Sequence, residues 1–241
     1  MINLKDKMIG EIVAEDYRTA TVFKNYGIDF CCNGNRNIEE ACASQKIKKE
    51  ELISELKEIT RQCTQITSDF QSWPPDLLIN YIEKKHHRYV RAQVPVLQEY
   101  LAKLCKVHGS RHPELFEIQK LFAQSSMEFM VHMEKEEKVL FPYIINLSDE
   151  NSDKNVLAKT AFGTVAMPIS NMMHEHEAEG GRFRKIKELS KDYTAPDDAC
   201  HTYGITYLLL QEFENDLLLH IHLENNILFP KAIEMEKALK N

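Results

Sequence analysis

One motif occurs twice in this sequence, and it constrains the fold more than any other feature. The segment HMEKEEKVLFP begins at His132, and the segment HIHLENNILFP begins at His220. In each copy a glutamate, Glu136 or Glu224, follows the histidine by four residues, and Leu-Phe-Pro closes the segment. A spacing of four places both side chains on one face of a helix. Two copies, 88 residues apart, predict a structure built from two related helix pairs.

The composition also favours long helices. Glycine and proline number only 8 each among 241 residues, which is low for a turn-rich sheet protein. A linker at about residues 66–76 contains two adjacent prolines, and long amphipathic stretches follow it at 76–106, 113–146, 163–191 and 197–240. Four such helices with short connections are typical of an up-down bundle. We therefore predict an all-α protein, with a small helical domain over residues 1–66 and a four-helix bundle over residues 76–241.

Charge and hydropathy argue against two classes of function. The chain has 30 basic and 37 acidic side chains and a net charge of −7, so it lacks the basic face that nucleic acids require. No apolar run approaches the roughly 18 residues of a membrane span. The segment MINLKDKMIGEIVAED carries acidic residues where a signal peptide has an apolar stretch. We expect a cytoplasmic protein that binds neither nucleic acid nor membranes.

The six cysteines show neither CxxC nor zinc-site spacing, so reduced thiols are the default expectation. Cys31 and Cys32 are adjacent and admit two interpretations. They form a partly exposed dithiol for redox chemistry or metal transfer, or they are ordinary thiols that pack a small helical domain. A disulfide between neighbouring cysteines would be strained.

Helical phase sorts the ten histidines. Apolar residues that recur every three or four positions mark the inner face of each long helix. His86, His174 and His222 lie off this face, although His86 could exchange roles with its neighbour, and His108 ends the first long helix. The inner faces carry four histidines and two glutamates, namely His87, His132, Glu136, His176, His220 and Glu224.

Such a buried set predicts a metal centre. One inward histidine is usually a satisfied core residue, but a buried carboxylate without a partner costs several kcal/mol. The absence of thiolates from these faces disfavours iron–sulfur clusters and structural zinc, and imidazoles disfavour calcium and magnesium. Inward carboxylates in a four-helix bundle are typical of di-iron and di-manganese sites. We expect two iron ions in an oxo-bridged centre with open positions for O2, NO or peroxide, although ligand type alone does not separate iron from zinc or manganese.

The bundle, with its two motif copies, resembles the hemerythrin-like di-iron domain. The segment GEIVAEDYRTATVFKNYGIDFCCNGNR is similar to the small amino-terminal domain of the iron–sulfur cluster repair di-iron proteins, and MHEHE in the third long helix also matches that family's pattern. The resemblance covers nearly the whole chain. It implies the six ligands that helical phase selects, with Glu136 and Glu224 as bridging carboxylates, and a homodimer in the cytoplasm. Oxygen-carrying hemerythrins have a fifth histidine and an aspartate, so this site is expected to be more open.

The resemblance implies a stress-response function. The protein would repair iron–sulfur clusters damaged by nitrosative or oxidative stress, by donating iron to damaged or apo iron–sulfur proteins, and Cys31 and Cys32 would be candidates for redox or transfer steps. One alternative is an NO reductase or peroxidase that uses the same di-iron site. Another is a hemerythrin-type O2 or redox sensor, although a sensor usually carries a larger output domain. The residues do not decide between iron donation and turnover, so whether the protein is an enzyme stays open.

Overall fold

The computed structural model describes residue 4 and residues 7–61, 69–148 and 163–240. In these residues the chain forms eight longer helices and a short 3-10 helix (Phe70–Ser72), and an isolated bridge between Met8 and Asn37 is the one β contact within them. Most of the linker predicted at 66–76 is described from residue 69 onward, and its first residues lie outside the described part. The chain divides into two compact units, Met1–Leu78 with Ile221–Asn241 (unit 1) and Ile79–His220 (unit 2).

Four short helices occupy the amino-terminal part of unit 1. The side chain of Asn37 accepts a hydrogen bond from the Glu40 amide, and the Glu40 carboxylate accepts one from the Asn37 amide, which is a capping box. Helices this short are marginal alone, so buried side chains such as Ile12, Phe23 and Leu52 stabilise them by packing. The helices are α1 (Ile9–Glu15), α2 (Thr19–Asn25), α3 (Ile38–Gln45) and α4 (Lys49–Arg61).

Four long helices follow, and three of them contain a π-helical segment, in which each turn is wider than in an α-helix. They confirm the predicted all-α fold and lie close to the predicted ranges. In α5, α6 and α8 the π-helical segment is the middle one of three. The helices are α5 (Pro75–Tyr81, Ile82–His87, Arg88–His108), α6 (Glu114–Lys135, Glu136–Leu140, Phe141–Ser148), α7 (Ala166–Leu189) and α8 (His201–Leu223, Glu224–Leu228, Phe229–Lys240).

Aromatic rings form much of the core of unit 2. Phe213 of α8 lies 5.3 Å from Phe122 of α6 and is stacked on Phe183 of α7 at 5.6 Å, measured between ring centroids. Tyr89 of α5 approaches the same ring at 6.1 Å. Large rings bury much apolar surface, and here one ring of α8 joins the other three helices. The short turn at residues 109–113 makes α5 and α6 antiparallel, as predicted for an up-down bundle.

The carboxy-terminal part of α8 packs with the amino-terminal helices in unit 1. The Asn225 side-chain amide donates to the Cys31 carbonyl, and that of Asn226 donates to the Phe30 carbonyl, both at 3.1 Å. The Lys231 ammonium group donates to the carbonyls of residues 71 and 73 at 2.7 Å. The boundary between the compact units therefore falls within α8. The predicted division into 1–66 and 76–241 follows the chain order instead and stays a prediction.

Among the described helices, none has the length and apolar content that crossing a membrane requires.

Candidate metal centre

Five of the six predicted ligands converge inside unit 2, and each is buried. Helix α5 supplies His87, α6 supplies His132 and Glu136, α7 supplies His176 and α8 supplies His220. The ligand atoms of His87, Glu136 and His220 all lie within 4.8 Å of one another, and so do those of His132, Glu136 and His176. The structure thus arranges these residues as two groups that share one carboxylate.

Glu136 turns one oxygen toward each group. Its Oε2 lies 3.5 Å from His87 Nε2, and its Oε1 lies 3.2 Å from His132 Nε2. Each of these histidines faces a second one across the site. His87 Nε2 is 3.2 Å from His220 Nε2, and His132 Nε2 is 2.9 Å from His176 Nε2. The two carboxylate oxygens therefore face two separate pairs of imidazole nitrogens.

Two further carboxylates fix the tautomers of His87 and His132. Glu137 Oε1 lies 2.7 Å from His87 Nδ1, and Glu175 Oε2 lies 2.8 Å from His132 Nδ1. An ionised carboxylate accepts but does not donate a hydrogen bond, so each Nδ1 carries the proton. Each Nε2 then presents a lone pair to the site, which is the orientation that metal-binding histidines have.

Both carboxylates are held ionised. Burial raises the pKa of Glu137, but hydrogen bonds from Arg91 and then His87 outweigh it, and the net pKa is lowered. The hydrogen bond from His132 is the largest cause that lowers the pKa of Glu175 to about 2, and Lys135 adds to it against the effect of burial. His87 and His132 therefore each contact an ionised carboxylate. A basic side chain, Arg91 or Lys135, pairs with that carboxylate in turn.

The donor set fits metal binding. Lone pairs of His87 and His132 meet the two oxygens of Glu136 at 3.2–3.5 Å, so acceptors face acceptors in a buried space. Protons or metal ions are the species that reconcile such groups in a low-dielectric interior. Imidazole nitrogen with carboxylate oxygen suits iron, manganese and zinc rather than calcium or magnesium.

The π-helical segments coincide with the candidate ligands, a feature the sequence did not predict. One segment ends at His87, one begins at Glu136 and one begins at Glu224. The Phe141 amide donates to the Glu136 carbonyl, and the Phe229 amide donates to the Glu224 carbonyl, five residues back in each case. A proline follows each of these phenylalanines. In a regular α-helix the proline ring would clash with a carbonyl group of the preceding turn, and the wider π-helical turn relieves that clash.

The sixth predicted ligand, Glu224, lies in the part of α8 that belongs to unit 1. It is fully buried and follows His220 by one turn of an unbroken helix. A spacing of four residues puts these two side chains on the same face of α8. Glu224 therefore shares a helical face with His220, and its role as a ligand stays a prediction.

A cavity of about 320 Å³ opens beside the outer side of one group. Apolar side chains and carboxylates share its wall, and the His132 ring forms part of it. The cavity therefore reaches one candidate ligand, His132, beside the contact of that ring with Glu175. The lining residues are Met127, Glu128, Phe129, Val131, His132, Lys135, Glu175 and Glu179.

Cys31 and Cys32 lie in unit 1 as free thiols, with their Sγ atoms 3.6 Å apart. Cys31 is buried and Cys32 is half-buried. Asp29 Oδ1 accepts hydrogen bonds from both of their amides, and it also lies 3.4 Å from the Cys31 thiol. The hydrogen bond with Cys32, followed by burial and the charge of Asp29, raises the pKa of Cys31 well above its ordinary value. Such a thiol resists ionisation, so the buried member of the pair is a poor nucleophile.

The remaining histidines have other surroundings. His86 stacks on the His220 ring at 5.6 Å, while its Nδ1 lies 3.1 Å from an oxygen of Asp216. His174 is exposed, as its helical phase predicts. His222 was expected off the main face, and it is buried in unit 1, where burial lowers its pKa to about 3. None of these three belongs to the two groups of candidate ligands.

Comparison with known families gives two matches that together span most of the chain. Residues 78–232 match the hemerythrin HHE cation-binding domain. Residues 5–60 match ScdA_N, which is described as a domain of unknown function. The first match contains all six candidate ligands, and the second contains the two adjacent cysteines.

Several curated proteins are similar to the chain over nearly its full length. The iron–sulfur cluster repair protein ScdA of Staphylococcus haemolyticus is 32% identical over 231 residues, which are 94% of this chain and 97% of that protein. The iron–sulfur cluster repair protein YtfE of Dickeya chrysanthemi is 31% identical and covers 98% of this chain and 100% of its own. The YtfE protein of Escherichia coli O8 is 32% identical, with 96% and 99% covered.

Proposed function

This chain belongs to the family of iron–sulfur cluster repair proteins that join an ScdA_N domain to a hemerythrin HHE domain, and from that premise we propose that it repairs iron–sulfur clusters damaged by nitrosative or oxidative stress. The observation that carries the proposal is the position of Glu136. Its two oxygens face two separate histidine pairs, which supports a role as a carboxylate shared by two ions. A bridged pair of ions in a helical bundle is the arrangement of di-iron and di-manganese proteins.

We assign one ion to His87 and His220 and the other to His132 and His176. Glu136 would hold both ions, and Glu224, on the same helical face as His220, would supply the second shared carboxylate. Two six-coordinate ions offer about twelve positions, of which four imidazoles and two bridging carboxylates fill about eight. The ions are iron, which when bound supplies redox chemistry and open positions for small ligands.

Iron donation is the mode of repair that we favour. The acceptor is a damaged or apo iron–sulfur protein, and iron is then the cargo. Glu137 and Glu175, which hold the Nδ1 protons of His87 and His132, are 25% and 35% exposed at their side chains. The two rings are buried, but the carboxylates that contact their outer nitrogens are thus partly exposed to solvent.

Cys31 and Cys32 are the second part of the proposal, as a redox or transfer pair. The half-buried Cys32 is the member that an external group would meet first, with the buried Cys31 behind it at 3.6 Å. Replacing both by serine should leave the iron content unchanged and lower only the repair of clusters. Unchanged repair by that variant would assign the pair to packing of the amino-terminal helices.

Turnover of NO or peroxide is the alternative function, and the cavity beside His132 favours it because a small ligand can approach there. A sensor of the hemerythrin type would bind O2 or change redox state without turnover. One experiment separates these functions. The iron-loaded full chain is mixed with an apo iron–sulfur enzyme, and iron loss, enzyme recovery and NO consumption are measured on the same sample.

Donation predicts stoichiometric iron loss that matches enzyme recovery, with little NO consumed. Many NO or peroxide molecules consumed per site, with the iron retained, would overturn donation in favour of an enzyme. The Glu136→Ala variant is the matched negative control because it removes the shared carboxylate.

We also propose that the protein is a homodimer and that it works in the reducing cytoplasm. The five described cysteines are free thiols, which supports the reducing compartment. Sedimentation of the full chain tests the dimer.

A further inference from the structure

A second group of reactive side chains lies at the far end of α5. His108 closes the segment that begins just after His87, which places it about 30 Å along the helix from the metal ligands. Across from it, Cys200 immediately precedes α8 at His201. His108 Nε2 lies 3.2 Å from Cys200 Sγ, although 92 residues separate the two in the sequence. Neither residue belongs to the candidate metal groups in the described part of the chain.

His108 is placed to exchange a proton with this thiol. The ring is buried, with 4% of the residue exposed, and it meets Tyr203 edge-on at 5.3 Å. Within the described residues its Nδ1 has no hydrogen-bond partner, so Nε2 is the ring atom that makes a polar contact, and that contact is with sulfur. A neutral imidazole accepts a proton at one nitrogen while the other keeps its own.

The position of Cys200 at the start of α8 acts in the same direction. The Cys200 carbonyl accepts hydrogen bonds from the amides of Tyr203 and Gly204 at 2.9 and 3.3 Å, so the residue sits at the amino-terminal cap of a 23-residue helical segment. The amino-terminal end of a helix carries partial positive charge and stabilises an anion there. Helix ends and neighbouring imidazolium groups are the two settings that favour thiolates in proteins.

The nearby acidic group is neutralised by its own partners. Asp198 is paired with Arg111 at 2.7 Å and with His112 at 2.9 Å. The hydrogen bond from His112 is the main cause that lowers the pKa of Asp198. His112 also contacts Glu114 at 3.1 Å through its other nitrogen. The charge of Asp198 is thus compensated by Arg111 and His112, and His108 is the ring that contacts the sulfur of Cys200.

Accessibility distinguishes Cys200 from the other described cysteines. It is exposed, whereas Cys31, Cys42 and Cys105 are buried and Cys32 is half-buried. Burial is the largest cause that raises the pKa of Cys42 and of Cys105, which keeps them as thiols. Cys200 combines access from solvent with a proton acceptor at contact distance.

We propose that Cys200 is a thiol-exchange site that His108 activates and that it forms mixed disulfides with low-molecular-mass disulfides. The thiol proton moves to His108 Nε2, and the Cys200 thiolate attacks one sulfur of the small disulfide. A new sulfur–sulfur bond forms at Cys200 while the small disulfide's own bond breaks. The leaving thiolate takes the proton back from His108. The small disulfide is the oxidant, so atoms and electrons balance without another reagent.

Glutathione disulfide is a suitable probe for the full chain at pH 7, with the mixed disulfide at Cys200 followed by peptide mass spectrometry. The native chain should react at Cys200 at least about tenfold faster than the same chain in urea, because unfolding removes the contact with His108 and the helix end. A synthetic peptide of residues 195–206, measured with and without urea, corrects for the effect of urea on the reaction. A native rate equal to or below the unfolded rate would overturn the proposal.

The matched variants are His108→Gln and His112→Gln. Glutamine fills similar space but takes no proton, so His108→Gln should reduce the native rate about tenfold, to near the unfolded value. His112→Gln changes the neighbouring ring but leaves Asp198 paired with Arg111, so the rate should stay within about twofold of the original. Wild-type reactivity in a folded His108→Gln chain would remove His108 from the proposal. If that variant fails to fold, the comparison of native and unfolded wild-type chains still decides the outcome.

Discussion

The two copies of the repeated motif share their backbone geometry but differ in the residues just after the glutamate. In the first copy Glu137 accepts a hydrogen bond from the Nδ1 of a metal-site histidine. In the second copy Asn225 and Asn226 occupy the next two positions and donate to the carbonyls of Cys31 and Phe30. The two copies therefore have the same histidine and glutamate positions but different contacts beside them. In the first copy the residue after the glutamate contacts a candidate ligand, and in the second the two asparagines attach α8 to the loop that carries the two cysteines.

The largest effects should come from the positions at which the copies are alike. Glu136→Ala and Glu224→Ala each remove a proposed bridge, so each should lower the affinity for both ions by more than about 100-fold. Metal content per chain after dialysis, measured by elemental analysis, checks this expectation. His174→Ala is the control, because His174 is exposed on the helix that also carries His176. Loss of metal in only one of the two glutamate variants would show that the copies are not equivalent.

The next largest effect should separate the copies. Glu137→Gln keeps the shape of the side chain but weakens the hydrogen bond that holds the His87 tautomer, so metal affinity should fall about 10- to 100-fold. Competition with a chelator measures this change. Glu134→Gln is the matched control, since Glu134 is exposed and pairs with Lys138 on the surface. Asn225→Ala should leave the affinity unchanged, and a comparable loss in that variant would remove the contrast between the copies.

A smaller effect is expected at the cysteine loop. Asn225→Ala or Asn226→Ala deletes a side-chain hydrogen bond to the loop, which costs about 1–2 kcal/mol and increases local opening about tenfold. The buried Cys31 thiol should then react correspondingly faster with iodoacetamide, and peptide mass spectrometry measures the rate. Glu137→Gln serves as the reciprocal control and should not change it. If Cys31 reacts with iodoacetamide at the same rate in Asn225→Ala, Asn226→Ala and Glu137→Gln, the two asparagines do not hold the loop.

The smallest effect is a pH dependence of the metal-free chain. Glu175 has a pKa of about 2 in the folded state, against about 4.3 in an unfolded chain. A lowered carboxyl pKa stabilises the fold above the unfolded value, and this contribution is lost as the pH falls from about 4.3 toward 2. Glu175→Gln should therefore lose less stability than the wild-type chain between about pH 5 and pH 3, by at most about 1 kcal/mol after solvent screening. Urea unfolding at both pH values measures the difference.

Glu177→Gln is the control for this prediction, because Glu177 is an exposed glutamate close by on the same helix. Its stability should fall with pH as steeply as that of the wild-type chain. An identical slope for Glu175→Gln would show that the contact with His132 contributes nothing to folding. A steeper slope would mean that the carboxylate is destabilising in the metal-free state.

Helical phase predicted the four long helices and the inward face of each, because burial repeats every three or four residues along a bundle helix. The same periodicity selected His87 over His86, and the structure turns the ring of His86 toward Asp216 instead. Periodicity gave no signal for Glu137 and Glu175. They adjoin ligands in the chain and contact histidines of other helices, so only the packing of helices brings these pairs together.

Other features also depended on long-range packing. The burial of His222 follows from the contact of α8 with Tyr17 and Phe30, which are about 200 residues earlier in the chain. The π-helical turns at Glu136 and Glu224 have a local cue, the proline that closes each motif, but the cue does not specify the width of the turn. The contact between His108 and Cys200 joins two helix ends that lie far apart in the sequence.

The proposed function depends above all on Glu136 as the bridge between two ions that two histidine pairs hold. Its most direct test is the number of metal ions in the full chain reconstituted with ferrous iron without oxygen, compared with the Glu136→Ala chain prepared in the same way. We predict about two irons per wild-type chain and almost none in the variant, because one carboxylate serves both ions. A single zinc without iron in the wild-type chain, or two irons retained by Glu136→Ala, would contradict this role of Glu136.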